Sequence, residues 1–265
     1  MKPNPLKRNL EVGGTALGTM VFEFATPGVA RIAASAGAEF VVFDQEHSGW
    51  GIETIRMLMA TARAAELVPL VRVPSTQHHF ISRPLDVGAS GVMVPMVETA
   101  EQASAVVTAA KYPPEGERGA AFGIGHDDYE AAEDVVSGMQ HANDETLLIA
   151  QIETTDGIAN VEEIAAVDGV DVLWIGHNDL TNSIGIPGQF DHPDYLRRRP
   201  LSRSLRRQRQ GAWNHVNQRR GGPVPARSGI PVRGLLGRHL ALRKRPAGRD
   251  REDSREVAPR RYFGL

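Results

Sequence analysis

The stretch FVVFDQEHSGW, residues 40–50, runs four apolar residues straight into Asp44, Glu46 and His47. A half-exposed strand would alternate apolar and polar residues. An unbroken apolar run is the pattern of a parallel strand buried on both faces. Its polar end has two readings: a surface loop that scatters such groups, or a catalytic mouth that collects them. The other strands of the chain decide between these.

Similar apolar runs occur at Ala16–Phe22, Val68–Val73, Gly91–Met96, Leu147–Glu153 and Val170–Gly176. Helical patterns lie between them at Gly28–Ala36, Ile52–Glu66, Ser82–Val87, Ala100–Lys111 and Ile158–Val167. Strand and helix alternating six times predict an α/β fold, either a barrel or a doubly wound sheet. Polar residues gather after several different strands: Asp44, Glu46 and His47, then Arg72, then Glu153, then Gly176 to Asp179. A barrel builds its site from many strand ends, whereas a doubly wound sheet concentrates it at one switch point. No GxGxxG fingerprint occurs. The chain therefore reads as a (β/α)8 TIM barrel, with six of its eight units in residues 1–196.

Glu153 and Asp179 are two carboxylates at successive strand ends, a spacing that suits a hard divalent cation such as Mg²⁺ or Mn²⁺. Taken singly, Asp179 reads equally well as a helix cap and Glu153 as half of an ion pair. Arg72 closes an apolar strand, where it can stabilise an anionic oxygen or form a structural salt bridge. Asp44, three residues before His47, is placed to orient the imidazole and raise its basicity. Gly176 permits close approach of a ligand, and the N–H groups near Asp179 can bind a carboxylate. His78, His79, His126, His141 and His192 have no comparable setting.

The motifs FDQEHSGW, VPLVRVPS, LDVGASGVMVPMVETAEQA, YPPEGERGAAFG, LIAQIETTDGIANVEEIAAVDGVDVLWIGHNDLTNSIG and GQFDHPDY occur in this order across residues 13–196. Together they resemble the HpcH/HpaI aldolase/citrate lyase family, and most of all its class II pyruvate aldolases. The resemblance implies a hexamer of (β/α)8 barrels that cleaves a 4-hydroxy-2-oxo acid to pyruvate and an aldehyde. It implies a divalent metal (Mg²⁺, Mn²⁺ or Co²⁺) on Glu153 and Asp179, and His47 as a base acting through water. Arg72 would stabilise the enolate, while Gln151 and Asn178 would contact the pyruvate moiety. Asp44 belongs to the D-x-E-H motif, and Asp86 in LDVG would support His47, from the adjoining subunit. GHND at 176–179 departs from the proline and alanine that many members carry, which bears on substrate identity.

A Schiff-base mechanism needs a lysine in the mouth. Residues 1–196 contain only Lys2, Lys7 and Lys111, none at a strand end. A CoA-thioester lyase, the family's other branch, would need a basic groove for phosphates, and residues 1–196 offer no convincing one. No segment approaches the roughly 18 unbroken apolar residues of a membrane span. The absence of a secretion signal and of any cysteine fits a cytoplasmic protein.

The charge changes abruptly after Leu196. Residues 1–196 hold 10 Lys/Arg against 28 Asp/Glu, and residues 197–265 hold 20 against 4. This segment has neither helix nor strand periodicity, and is expected to supply neither strand seven nor strand eight. One reading is a basic tail that binds nucleic acid, but Trp213, Tyr262 and Phe263 are its only aromatics for stacking. The favoured reading is a one-base frameshift. Read one base later, possible codons for Gln210–Gly222 permit KGLGTMSTSVEEA, and those for Pro225–Leu242 permit LLDQGFRCVAYSGDTWLY. Each resembles one of the family's last two strands. The expected domains are thus a barrel over 1–196 and an aberrant tail over 197–265.

Overall fold

The computed structural model describes residues 2–130 and 134–198, together with the backbone of 211–214. The strands are β1 (Gly18–Val21), β2 (Phe40–Asp44), β3 (Val68–Arg72), β4 (Gly91–Val94), β5 (Leu147–Ile152), β6 (Val172–Ile175) and β7 (Gly211–Asn214). They lie side by side in that order, every neighbouring pair parallel. An order that never reverses leaves no switch point, so this is a curled, TIM-barrel-like wall and not a doubly wound sheet.

One element departs from expectation. The segment after residue 196 was read as contributing no strand, yet β7 pairs with β6 from Val172↔Gly211 to Ile175↔Asn214. Sheet extension needs an extended backbone and a free edge, and the N–H and C=O row of β6 supplies that edge. Side-chain periodicity, the only signal available in sequence, does not report it. The rest of the basic tail, including the expected place of strand eight, lies outside the described residues.

Helix α1 (Pro5–Glu11) precedes the sheet. Helices α2 (Val29–Ser35), α3 (Ile52–Ala64), α4 (His78–Asp86) and α5 (Ala100–Ala110) follow β1 to β4 in turn, and α6 (Val135–Glu145) leads into β5. Two short helices, α7 (Thr155–Ala159) and α8 (Val161–Ala165), replace the single one expected before β6. Beyond β6 come α9 (His177–Ile184) and α10 (Pro193–Arg198). Side-chain caps mark two of the helices that periodicity missed, α1 and α6. Asn4 accepts from the Lys7 N–H at 3.1 Å with Pro5 at the first helical position, and Asp134 accepts from the Ser137 N–H at 2.9 Å.

The apolar strands divide their side chains between two cores, with period two. Val41, Phe43, Val71, Val92, Leu148 and Leu173 face the helices. Phe40, Val42, Val68, Leu70, Met93, Leu147, Ile149 and Val172 face the barrel interior. Both faces are therefore apolar, which explains the unbroken runs.

Helix α1 closes the interior at the N-terminal ends of the strands. Leu6 and Leu10 pack on the interior core, while polar groups clamp the helix to the segments entering β4, β5 and β6. Asn4 Nδ2 donates to the carbonyls of Ser90 and Glu145 at 3.1 and 2.9 Å. Lys7 Nζ donates to the Thr146 carbonyl at 2.9 Å and pairs with Asp171 at 3.2 Å. Glu145 accepts from Arg8. The opposite end, where the strands' C-termini lie, carries the candidate site.

Candidate active site

Period two also places the polar groups. Asp44 continues the inward series of Phe40 and Val42, Arg72 that of Val68 and Leu70, and Gln151 and Glu153 that of Leu147 and Ile149. The β2–β3 register aligns Asp44 with Arg72. Arg72 Nε donates to Asp44 Oδ1 at 2.8 Å and Nη2 to Oδ2 at 2.6 Å, a planar fork on a carboxylate with no exposed surface. Arg72 Nη1 lies 3.2 Å from Glu46 Oε2. Burial works against the guanidinium's charge, but Asp44, Glu46 and Glu153 hold it protonated more firmly than usual.

Glu153 sits just past β5 and is 1% exposed. Its Oε1 accepts from the Met96 N–H at 2.9 Å, and its Oε2 accepts from Gln151 Nε2. Burial raises its pKa to about 7, and the charges of Glu46 and Asp179 push the same way, against the two hydrogen bonds. Glu46 is also raised, chiefly by burial, with Arg72 opposing and Asp44 and Asp179 adding to the rise. The charges of Glu46, Glu153 and Asp179 thus act on one another where the Arg72 guanidinium is already committed to Asp44.

Gly176 makes this geometry possible. A Cβ there would overlap Glu153 Oε2 and lie 2.8 Å from Glu153 Cβ. The close approach expected of this glycine was to a ligand; the nearest group it meets among the described residues is the Glu153 side chain. Gly176 caps α9, which carries the exposed Asn178 and the half-buried Asp179 in its first turn.

Two expected partners of His47 lie elsewhere. Asp44 was read as orienting the imidazole, but its carboxylate is taken up by Arg72 and by the Glu46 N–H at 2.9 Å. The carboxylate near His47 is Glu46, at 3.8 Å from Nε2, and the imidazole is 56% exposed. Asp86 ends α4, which leads into the start of β4 and so belongs to the floor end of its own chain. There its carboxylate accepts from Arg118 Nε and Nη2 at 3.1 and 2.7 Å.

Sequence reasoning missed Met96. Its φ of 56° is left-handed, which turns its N–H onto Glu153. Only a glycine or asparagine would have flagged that conformation in advance.

The donor set suits a divalent cation. Glu153 and Asp179 are oxygen donors, and a bound cation would offset the burial that raises Glu153 and the charges of Glu46 and Asp179 that add to it. Gln151 Oε1 is also buried without a hydrogen-bond partner. Among the described residues no group of three or more His, Asp or Glu side chains is set to hold an ion, so any ion would rest on few protein ligands. None of the described helices is long and apolar enough to cross a membrane.

A barrel mouth holding a guanidinium, crowded carboxylates and an exposed imidazole equips an enzyme to handle an anionic carbonyl compound. Comparison with known proteins narrows that class. Residues 19–212 match the family model described as HpcH/HpaI aldolase/citrate lyase. A hydroxypyruvate/pyruvate aldolase of Roseobacter denitrificans is 37% identical over 198 residues, covering 72% of this chain and 73% of that protein. A 4-hydroxy-2-oxovalerate aldolase of Novosphingobium aromaticivorans is 41% identical over 194 residues, 70% and 69% of the two chains. The crystal structure of an HpcH/HpaI aldolase from Desulfitobacterium hafniense superposes with a TM-score of 0.76 at 34% identity, over 81% of this chain and 82% of that one. The chain belongs to the HpcH/HpaI aldolase/citrate lyase family and is an enzyme of the aldolase class.

Proposed function

We propose that the protein is a metal-dependent aldolase that cleaves a 4-hydroxy-2-oxo acid into pyruvate and an aldehyde. One observation carries this reading: the buried Glu153 carboxyl, raised by burial and further by the charges of Glu46 and Asp179, lies where the Arg72 guanidinium is already committed to Asp44, a setting that a cation would relieve. Glu153 and Asp179 would hold Mg²⁺, Mn²⁺ or Co²⁺, which when bound supplies Lewis acidity toward the 2-oxo acid. His47 faces solvent and takes the proton of the 4-hydroxyl through a water. The C3–C4 bond then breaks: C4 leaves as the aldehyde carbonyl, and the bond's electron pair stays with C3 and passes onto the 2-oxo oxygen as an enolate. Arg72, pinned by Asp44, keeps donors on Nη1 and Nη2 for the developing oxyanion. Return of the proton from His47 through water to C3 yields pyruvate and resets the base. Asn178 and Gln151 flank the place of the pyruvate moiety, and Gly176 leaves it room. Family resemblance further supports a cytoplasmic homohexamer, in which Asp86 would serve the His47 of a neighbouring subunit.

The reading is tested by pyruvate release from a panel of 4-hydroxy-2-oxo acids with each of the three ions, with and without chelator. Chelator-sensitive release is expected. Release that a chelator leaves unchanged would overturn the metal assignment, and no release from any substrate would overturn the reaction.

We also infer that residues 197–265 are translated out of frame. Three observations support this: the charge inversion after Leu196, the strand-like segments in the shifted reading, and the position of β7. Gly211–Asn214, which extends the sheet, coincides with GLGT of the shifted reading.

A further inference from the structure

The first turn of α9 carries Asn178 and Asp179, so its orientation decides where Asp179 points. Its cap is Gly176, which makes no side-chain cap hydrogen bond and is the residue least able to stiffen a turn. Among the described residues, two contacts tie this turn to its neighbours. The Gly176 N–H donates to the Ile152 carbonyl at 3.1 Å, tying the turn to β5. His177, the first helical residue, is buried, and its Nδ1 is hydrogen-bonded to the Tyr195 hydroxyl of α10. The two rings meet edge to face at 5.8 Å and 70°, and Tyr195, also buried, meets Phe190 likewise at 5.9 Å and 72°.

Burying an imidazole and a phenol is costly unless each satisfies the other, and their bond is directional. It joins two flat side chains with few rotatable bonds, one of them only two residues from Asp179. We propose that the His177–Tyr195 pair is a positioning latch: it fixes the rotation of the first turn of α9 and so holds the Asp179 carboxylate toward Glu153. This rests on reading Glu153 and Asp179 as the ion-binding pair. Ligand groups must be held within about 0.5 Å of their working geometry, so a small rotation of the turn weakens the ion.

The test is Mn²⁺ affinity of the full 265-residue chain, read from the free-ion paramagnetic resonance signal beside a thermal melt. Turnover is not required. Tyr195→Phe keeps the ring and removes the hydroxyl. Mn²⁺ affinity is expected to fall roughly three- to tenfold, the worth of one hydrogen bond, with the melting temperature within a few degrees of wild type. Adding His177→Pro should restore affinity to within about twofold. Proline's fixed φ stiffens a first helical position, and in this background no hydroxyl is left unpaired. Unchanged affinity in Tyr195→Phe overturns the latch, and so does a loss that proline fails to restore. Asp179→Asn is the separate control: wild-type Mn²⁺ affinity in that variant overturns the ion-site reading itself, whatever Tyr195→Phe does.

Discussion

Arg72 grips Asp44 with two nearly parallel hydrogen bonds, Nε to Oδ1 and Nη2 to Oδ2, at the lip of the barrel where both side chains are buried. The strand register brings them together across 28 residues of sequence. Removing one partner strands the other's charge. Asp44→Ala is expected to cost about 3–5 kcal/mol in urea unfolding, whereas Asp44→Leu combined with Arg72→Met should cost clearly less. Equal losses in the single and double variants would show that the pair is not the desolvated fork described.

His47 is half-exposed and contributes little packing. His47→Ala should slow pyruvate release by roughly 10²–10⁴-fold, the usual contribution of a positioned base, with an unchanged melting temperature. Near wild-type turnover would remove the assignment.

Gly176→Ala places a methyl group in the Glu153 carboxylate. Displacing that group should weaken Mn²⁺ binding by about 10–100-fold, as loss of supporting contacts at metal sites does. Gly28→Ala, where a Cβ meets nothing within 4 Å, is the matched control and should bind normally. If both bind alike, the close approach has no bearing on the ion.

Lys111 is buried near the floor, hydrogen-bonded to the Asn143 and Thr146 carbonyls. Burial lowers its pKa from 10.5 to about 8, with the Lys7 charge adding to the fall. Between these values the unfolded chain binds more protons than the folded one, so this group's contribution to stability rises with pH from about 8 to 10.5. Below that window the buried charge exerts its full penalty. The unfolding free energy of wild type minus that of Lys111→Met should therefore increase by about 3 kcal/mol at most between pH 7.5 and 10.5. A difference that stays flat or falls contradicts the assignment.

Resequencing the gene across codons 190–265 should reveal a single-base insertion or deletion near codon 196. Restoring the frame should raise soluble yield and metal-dependent aldol cleavage together, because a wall with an unpaired edge invites association. An intact frame in the genomic DNA, or no gain on restoration, would refute the frameshift.

Much of this was legible in the chain because buried parallel strands advertise themselves by being apolar on both faces. Asp44, Arg72 and Glu153 stood out as breaks in such runs, and period two sends all three inward. Their partners were less legible. Asp44 is close to His47 in sequence but faces Arg72 in space, since strand register and not sequence distance sets side-chain neighbours. Met96 adopts a left-handed backbone that its side chain does not signal. Asp86 carries a motif's signature yet ends a helix at the floor, a matter of which end of a strand a residue precedes. Strand β7 pairs with β6 through its backbone, which leaves no periodic trace in the sequence.

Helix α1 and its clamp of Asn4, Lys7, Glu145 and Asp171 occupy one end of the barrel, and the proposed chemistry occupies the other. Substitutions more than about 7–10 Å apart with no shared partners act independently. The protein can therefore be made hardier and made choosier as two separate engineering problems. Repacking around Leu6 and Leu10 would raise heat resistance without retuning turnover, while libraries at Asn178 would explore new 2-oxo acids against an unaltered foundation.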